Sequence, residues 1–311
     1  MFSASEISRA VKILRAGGLV AFPTETVYGL GGDATNDAAV ARIYAAKGRP
    51  QFNPLISHVA ETHQALAQGE FSKQAEKLAA AFWPGPLTIV VPRRRDCTVS
   101  LLASAGLDTI ALRVPNHPLA LALLKSVDRP IAAPSANASG RISPTTADHV
   151  LQSLGDKVDM VLDGGPCSVG VESTVVQFRD GKAYLLRPGG LAREMIECVI
   201  DEKLLAPPGE QSLHSPGLLA SHYAPRAKLR LNAKTPEGDE AFIGFGDTAF
   251  GPYSLSQKGD VTEAAANLFR ILHDVDATGV TQIAVAHIPD KGLGEAINDR
   301  LRRAAAPRDI T

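Results

Sequence analysis

Four polar segments hold the residues whose types and spacing can do chemistry, and each lies beside a short apolar run. The first, residues 23–34, reads PTETVYGLGGDA. Thr24, Glu25 and Thr26 supply hydroxyls and a carboxylate, while Gly29, Gly31 and Gly32 let a backbone turn tightly or approach a ligand closely. The segment is neither a G-x-x-x-x-G-K-[ST] P-loop nor a G-x-G-x-x-G fingerprint, and by its glycines alone a plain structural turn is an equal reading. The second, residues 47–59, reads KGRPQFNPLISHV. Lys47 and Arg49 at a helix end either complement its dipole or clamp an anion, one as a point charge and the other as a fork. His58 falls near the end of a strand, where a single histidine is more often packed than functional.

The third segment, PSANASGRISPTTA at residues 134–147, places Ser135, Asn137, Ser139 and Ser143 within nine positions. Ser143 or Thr145 can cap the next helix, but a cap needs neither Ser135 nor Asn137. Hydroxyls, an amide and a helix start together make a phosphate cradle. The fourth joins GVESTVV at residues 170–176 to YLLRPG at 184–189, with Arg187 at a strand end facing either an anion or solvent. Arg93, Arg94 and Arg95, and Arg300, Arg302 and Arg303, read as solvated basic runs. Trp83 reads as packing, and Cys167 as a buried inert thiol. No nucleophile-plus-base triad, H-E-x-x-H or carboxylate pair stands out. Anion clamps and hydroxyl loops point to nucleotide or phosphoryl chemistry run by positioning and charge neutralisation.

The elements that must position these residues alternate. Ser3 and Glu6 form a capping box for a helix with Ile7, Ala10, Val11 and Leu14 on one face, ended at Gly17 and Gly18. Strands are expected at 19–22, 54–59, 87–91, 109–114 and 131–133, and near Met160, Val175 and Tyr184. Helices are expected at 37–46, 72–82, 117–126, 146–154 and 192–204. This is an α/β sheet with packed helices, whose ligands gather beyond the carboxyl ends of strands. Residues 206–227 are proline-rich and read as a stiff linker between a unit at 1–205 and a smaller one at 228–311. In the latter, strands at 228–231, 241–246 and 282–286 and helices around 261–275 and 294–305 suggest a Rossmann-like α/β unit.

The composition excludes several classes. With 311 residues, 45% of them hydrophobic, the chain is long enough for one large or two ordinary domains and is not mainly disordered. Lys+Arg 32 against Asp+Glu 33 argues against a bulk polyanion binder, and 5% aromatics argue against stacking platforms for single strands. Cys97, Cys167 and Cys198 are widely spaced, which disfavours a disulfide framework or a cysteine zinc site. No apolar run has membrane-spanning length and no secretory signal is evident, so the expected location is the cytoplasm, without membrane contact.

The segments in this order resemble the YrdC-like family of L-threonylcarbamoyladenylate synthases. The resemblance rests on PTETVYGL, AAKGRPQFNPLISHV, FWPGPLTIV, GLDTIALRVPNHP, AAPSANASGRISPT, DGG followed by GVESTVV, and LLRPG. SHYAP and GLGEAINDRLRR resemble the two-domain members, so the likeness spans nearly the whole chain. It implies a YrdC-like twisted open mixed sheet with flanking helices, plus a smaller Rossmann-like C-terminal α/β domain. It also implies synthesis of threonylcarbamoyl-AMP from L-threonine, bicarbonate or CO2, and ATP with Mg2+, releasing pyrophosphate. Downstream proteins would then transfer the group to a tRNA adenosine beside the anticodon, with at most weak tRNA contact by this chain.

Site roles follow from the same resemblance. Thr26, His58, Arg113, Ala133 and Ser173 are expected to contact threonine. Lys47, Arg49, Asn53, Thr109, Ser135, Asn137, Ser143, Arg187, His222 and Tyr223 are expected on the ATP side, with Lys47, Arg49, Ser135 and Asn137 nearest the chemistry. No resident protein-held metal is expected. The linker departs from the two-domain pattern, with Leu218, Leu219, Ala220 and Ser221 before His222 and Tyr223. Two other readings stand beside this one: a non-catalytic RNA-binding module, and a carbamoyl-AMP-forming relative that uses carbamoyl phosphate. A dinucleotide site in the C-terminal unit would rest on GFGD and GLGE, which lack the full fingerprint.

Overall fold

The computed structural model describes residues 3–207, 222–249 and 251–307. Helix α1 (Ala4–Arg15) starts on the Ser3–Glu6 capping box, both halves of which form. Strand β1 (Val20–Phe22) then runs antiparallel to β2 (Gly29–Asp33), with Ala21 opposite Leu30. The glycine-rich stretch read as a loop is therefore mostly a buried strand. At Gly31 a Cβ would lie 2.7 Å from the Phe22 ring and 3.0 Å from Ile131. Glycine there serves the packing of the sheet, not a ligand.

Asn36 caps α2 (Asp37–Lys47) by accepting from the Ala38 and Ala39 amides, and Gly48 ends it at φ +60°. There follow β3 (Ile56–His58), a short α3 (Thr62–Leu66) not expected from the sequence, and α4 (Lys73–Phe82), capped by Ser72. Next come β4 (Leu87–Pro92), β5 (Thr109–Arg113), α5 (Pro118–Val127) and β6 (Ile131–Ala132). The first unit closes with α6 (Ala147–Leu154), β7 (Met160–Val161), β8 (Thr174–Arg179), β9 (Lys182–Arg187) and α7 (Arg193–Ile200).

These strands form a nine-stranded mixed sheet in the order β7-β1-β2-β6-β3-β5-β4-β8-β9. Both faces are covered. Leu30, Ile89, Leu112 and Val176 join one core with residues of α2, α4 and α7, while Val20, Phe22 and Ile131 join another with residues of α1 and α5. On β5, Ile110 and Leu112 point to the large core, so Ala111 and Arg113 share the opposite face. His58 stands beside Arg113, because β3 and β5 pair in parallel with those two residues in register.

The second sheet is all parallel. Its order is β10-β13-β11-β12, from β10 (Lys228–Arg230), β11 (Ala241–Gly244), β12 (Tyr253–Ser254) and β13 (Gln282–Val285). Helices α8 (Val261–Ala277) and α9 (Gly294–Ala305) pack on it, as a Rossmann-like unit requires. β12 was not expected from the sequence. The second core also takes in Val27, Ile142 and Val171 of the first unit. At Gly170, with φ +76°, a Cβ would lie 2.4 Å from the Ala265 carbonyl, so α8 rests directly on the GVEST loop. Residues 208–221, including Leu218, Leu219, Ala220 and Ser221, lie outside the described residues.

Candidate active site

Thr24, Glu25 and Thr26 follow β1 and are buried. The Thr24 hydroxyl donates to the Val27 carbonyl at 2.7 Å and lies 2.8 Å from the Thr26 hydroxyl. A hydroxyl has one hydrogen, so Thr26 donates to Thr24 and keeps its lone pairs for the Arg113 Nη1, 3.0 Å away. Arg113 also donates from Nε to the Gly85 carbonyl at 3.2 Å. Its Nη2 lies 2.6 Å from Glu25 Oε1, an ion pair by distance whose alignment falls short of a hydrogen bond. Burial, and then the charge of Arg113, push the neighbouring His58 imidazole down to about 3, so it is neutral at physiological pH.

A second group surrounds the end of α2. Lys47 is buried, and its Nζ donates to the carbonyls of Ser135 at 2.6 Å and Asn137 at 2.5 Å. Burial pushes its ammonium well below the usual lysine range, and the nearby Arg49 adds to this. Arg49 donates to the carbonyls of Asn53 at 3.2 Å and Pro54 at 3.0 Å, and burial brings it down to about 10. Asn137 spends its Nδ2 on the Ala138 and Arg141 carbonyls, holding its own loop closed.

The third group joins both units. Arg187, at the end of β9, donates from Nη2 to the Ser173 carbonyl at 2.9 Å and its hydroxyl at 3.2 Å. Ser173 Oγ is 2.7 Å from Thr88 Oγ1. Glu172 accepts from Ser143 Oγ at 2.5 Å and from Arg300 Nε at 2.8 Å. Burial would raise the Glu172 carboxyl, but Arg300 and Arg187 outweigh it and hold it below its usual value. Tyr223, at φ +62°, places its ring under the Arg300 guanidinium at 5.0 Å and edge-on to His222.

These groups enclose one cavity, lined by Arg49, Arg113 and Arg187 together with His58, Glu172 and Tyr223. Four buried polar atoms without a hydrogen-bond partner lie on residues of its wall: His58 Nδ1, Arg113 Nη2, His222 Nδ1 and the Tyr223 hydroxyl. Such atoms are rare in native structures and mark a place where a polar ligand has work to do.

Comparison with known proteins places the chain in a family. The family described as telomere recombination matches residues 12–189, and the one described as threonylcarbamoyl-AMP synthase, C-terminal domain, matches 191–306. A threonylcarbamoyl-AMP synthase of Pyrococcus abyssi is 43% identical over 98% of this chain and 95% of its own. One from Bacillus subtilis is 42% identical, over 98% and 94%. The crystal structure of P. abyssi Sua5 complexed with L-threonine superposes with a TM-score of 0.90 at 40% identity, covering 97% of this chain and 95% of that one. This chain belongs to the threonylcarbamoyl-AMP synthase family.

Members of that family are nucleotidyl-transferring enzymes, and so is this chain. Ten of the residues expected at the synthase site line the cavity: Thr26, Arg49, His58, Arg113, Ala133, Ser135, Ser173, Arg187, His222 and Tyr223. Four more stand directly behind it. Lys47 and Asn137 brace the Ser135 loop, Asn53 holds Arg49 through its carbonyl, and Ser143 holds Glu172. Thr109 does not join them. It opens β5, four residues before Arg113, and a strand rises about 3.3 Å per residue. It lines a separate cavity with Asp108 and Gln177.

The sequence reading gave no site role to Glu25, Glu172 or Arg300. Arg300 was read as solvated, yet it is 0% exposed. Its signal was the helix period: Ile297, Arg300, Leu301 and Ala304 share the buried face of α9. Among the described residues, no group of three His, Cys, Asp or Glu side chains is arranged to hold a metal, and no helix is long and apolar enough to cross a membrane.

Proposed function

We propose that this synthase condenses L-threonine, bicarbonate or CO2, and ATP into threonylcarbamoyl-AMP and releases pyrophosphate. The observation that carries the reading is three guanidinium groups converging on one buried cavity, with a neutral imidazole beside one of them. Arg113, steered by Thr26 and Glu25, meets the threonine carboxylate as a fork. His58, Ala133 and Ser173 shape the remainder of that subsite. Arg49, Arg187 and Ser135 meet the ATP phosphates.

The threonine amine captures CO2 as a carbamate and releases a proton. A carbamate oxygen then attacks the α-phosphorus in line, a new P–O bond forms, and the bond to pyrophosphate breaks. The increasing negative charge is neutralised by Arg49 and Arg187, in a site dry enough to make each charge count. No protein nucleophile is required. Mg2+ arrives with the ATP phosphates as part of the substrate and would offset their charge.

The cavity measures about 50 Å³, whereas clefts that hold ligands of this size reach roughly 300–1,000 Å³. ATP therefore requires this wall, which includes His222 and Tyr223, to open. They belong to the proposed linker, 206–227, between a catalytic unit at 1–205 and a C-terminal unit at 228–311. The product passes in the cytoplasm to proteins that place the group on a tRNA adenosine next to the anticodon. A net charge of −1 supports only weak direct tRNA contact.

The test is pyrophosphate release from ATP, Mg2+ and bicarbonate, with and without L-threonine, and the mass of the nucleotide product. Threonine-dependent release with the mass of threonylcarbamoyl-AMP is expected. Release that depends on carbamoyl phosphate instead, or salt-sensitive RNA binding with no release, overturns the reading.

A further inference from the structure

Glu172 presents a buried carboxylate to a cavity that is otherwise cationic. Left alone, that charge would oppose any polyanionic ligand. Arg187 supplies part of its counter-charge, and the hydrogen-bonded part comes from 128 residues away, on the C-terminal unit. Arg300 of α9 is fully buried and donates to Glu172 Oε2 at 2.8 Å. Its Nη1 meets Asp299 Oδ2 at 2.6 Å, and its guanidinium lies 5.0 Å from the centre of the Tyr223 ring. The other Glu172 oxygen accepts from Ser143, on the loop that also carries Ser135 and Asn137. One guanidinium thus links the C-terminal helix, the GVEST loop, the serine-rich loop and Tyr223.

We propose that Arg300 is a positioning residue of the synthase reaction: it neutralises Glu172, and through Glu172 it holds Ser143, so that the cavity accepts the ATP polyphosphate. The C-terminal unit is then a part of the active site. This rests on the synthase reading for its choice of ligand. The physical reason lies in the buried pair. Removing one member of such a pair leaves a desolvated charge with no partner. Here the charge that loses its hydrogen-bonded partner would be negative and would face phosphates, with Arg187 left as a nearby cation.

The experiment measures ATP binding to the full chain by calorimetry without threonine, alongside KM values for ATP and threonine in the pyrophosphate assay. Arg300→Met weakens ATP binding about tenfold or more, the equivalent of about 1.4 kcal/mol, and moves threonine KM less than about threefold. Adding Glu172→Gln to Arg300→Met removes the stranded charge and recovers ATP binding severalfold. Arg300→Lys, which keeps the charge without the fork, loses less than Arg300→Met. Equal losses for ATP and threonine, or no recovery in the folded double variant, overturn the proposal. Should Arg300→Met fail to fold, Arg300→Lys decides: weaker ATP binding with a nearly unchanged threonine KM is expected, and unchanged ATP binding overturns the proposal. A parent protein that binds ATP but releases no threonine-dependent pyrophosphate fails the synthase reading, while the binding comparison still decides the role of Arg300.

Discussion

Lys47 donates to the main-chain carbonyl of Ser135 across 88 residues, at 2.6 Å. The lysine of the K-x-R pair is thus a clamp on the loop that carries Ser135 and Asn137. Lys47→Met leaves two buried carbonyls without a donor, at about 1–3 kcal/mol each. Amide exchange at residues 135–141 is expected to speed up, and the ATP KM to rise about tenfold. Unchanged exchange in that loop would remove Lys47 from this role.

Arg113 fixes the proposed threonine subsite through Thr26 and Glu25. Arg113→Lys keeps the charge but loses the fork, so bidentate recognition of a carboxylate is lost. Calorimetry is expected to show threonine binding at least about tenfold weaker and ATP binding within about threefold. Equal losses for the two ligands would show that Arg113 does not discriminate between them.

His58 is neutral well below physiological pH, its imidazole having been pushed down to about 3 by burial and by Arg113. It therefore cannot act as an acid or base that titrates between pH 5 and 8. His58→Gln raises the threonine KM but leaves the shape of the pH profile of kcat/KM unchanged across that range. A limb of the profile that disappears with the imidazole would refute this.

His273 stacks on His149 between the two units, with ring centroids 3.8 Å apart, and donates from Nε2 to the Ser143 carbonyl at 3.2 Å. Burial, and then His149, push it down to about 4. Between that value and about 6.5 the unfolded chain binds a proton that the folded chain does not. Stability therefore falls as pH falls through this window, by up to about 1.4 kcal/mol per pH unit for one such group. Melting temperatures from pH 7.5 to 4.5 should show a shallower acid slope in His273→Gln than in the parent. An identical slope assigns the acid sensitivity elsewhere.

Gly31→Ala forces a Cβ within 2.7 Å of Phe22 in the middle of the sheet. Overpacking of this kind costs about 1–3 kcal/mol. Chemical denaturation should show that loss, and a change below about 0.5 kcal/mol would mean that β1 and β2 can move apart.

Local signals in the chain marked most of the elements. The Ser3–Glu6 box and the apolar period of α8 act within a few residues, and both appear where the sequence placed them. β2 escaped because Gly29, Gly31 and Gly32 carry no strand propensity of their own. They are extended because other elements pack closely against them, Phe22 and Ile131 at Gly31 and Ile43 and Leu19 at Gly32. Arg49 and Arg187 were legible as candidate anion clamps from their type and their place at element ends, whereas Arg113 was legible only through the family resemblance.

The sequence by itself determined the family, the α/β class and the identity of ten of the side chains that line the cavity. Those depend on residue type, local periodicity and short motifs. Only the tertiary structure decided which charges meet. It turned Lys47 onto carbonyls, set His58 beside Arg113 through the β3–β5 register, and sent Thr109 to the far end of its strand. It also brought Arg300 onto Glu172, which no spacing in the chain could announce. Such pairs are set by strand order and by what is buried. A charge taken out of water must find its partner wherever the fold has brought one.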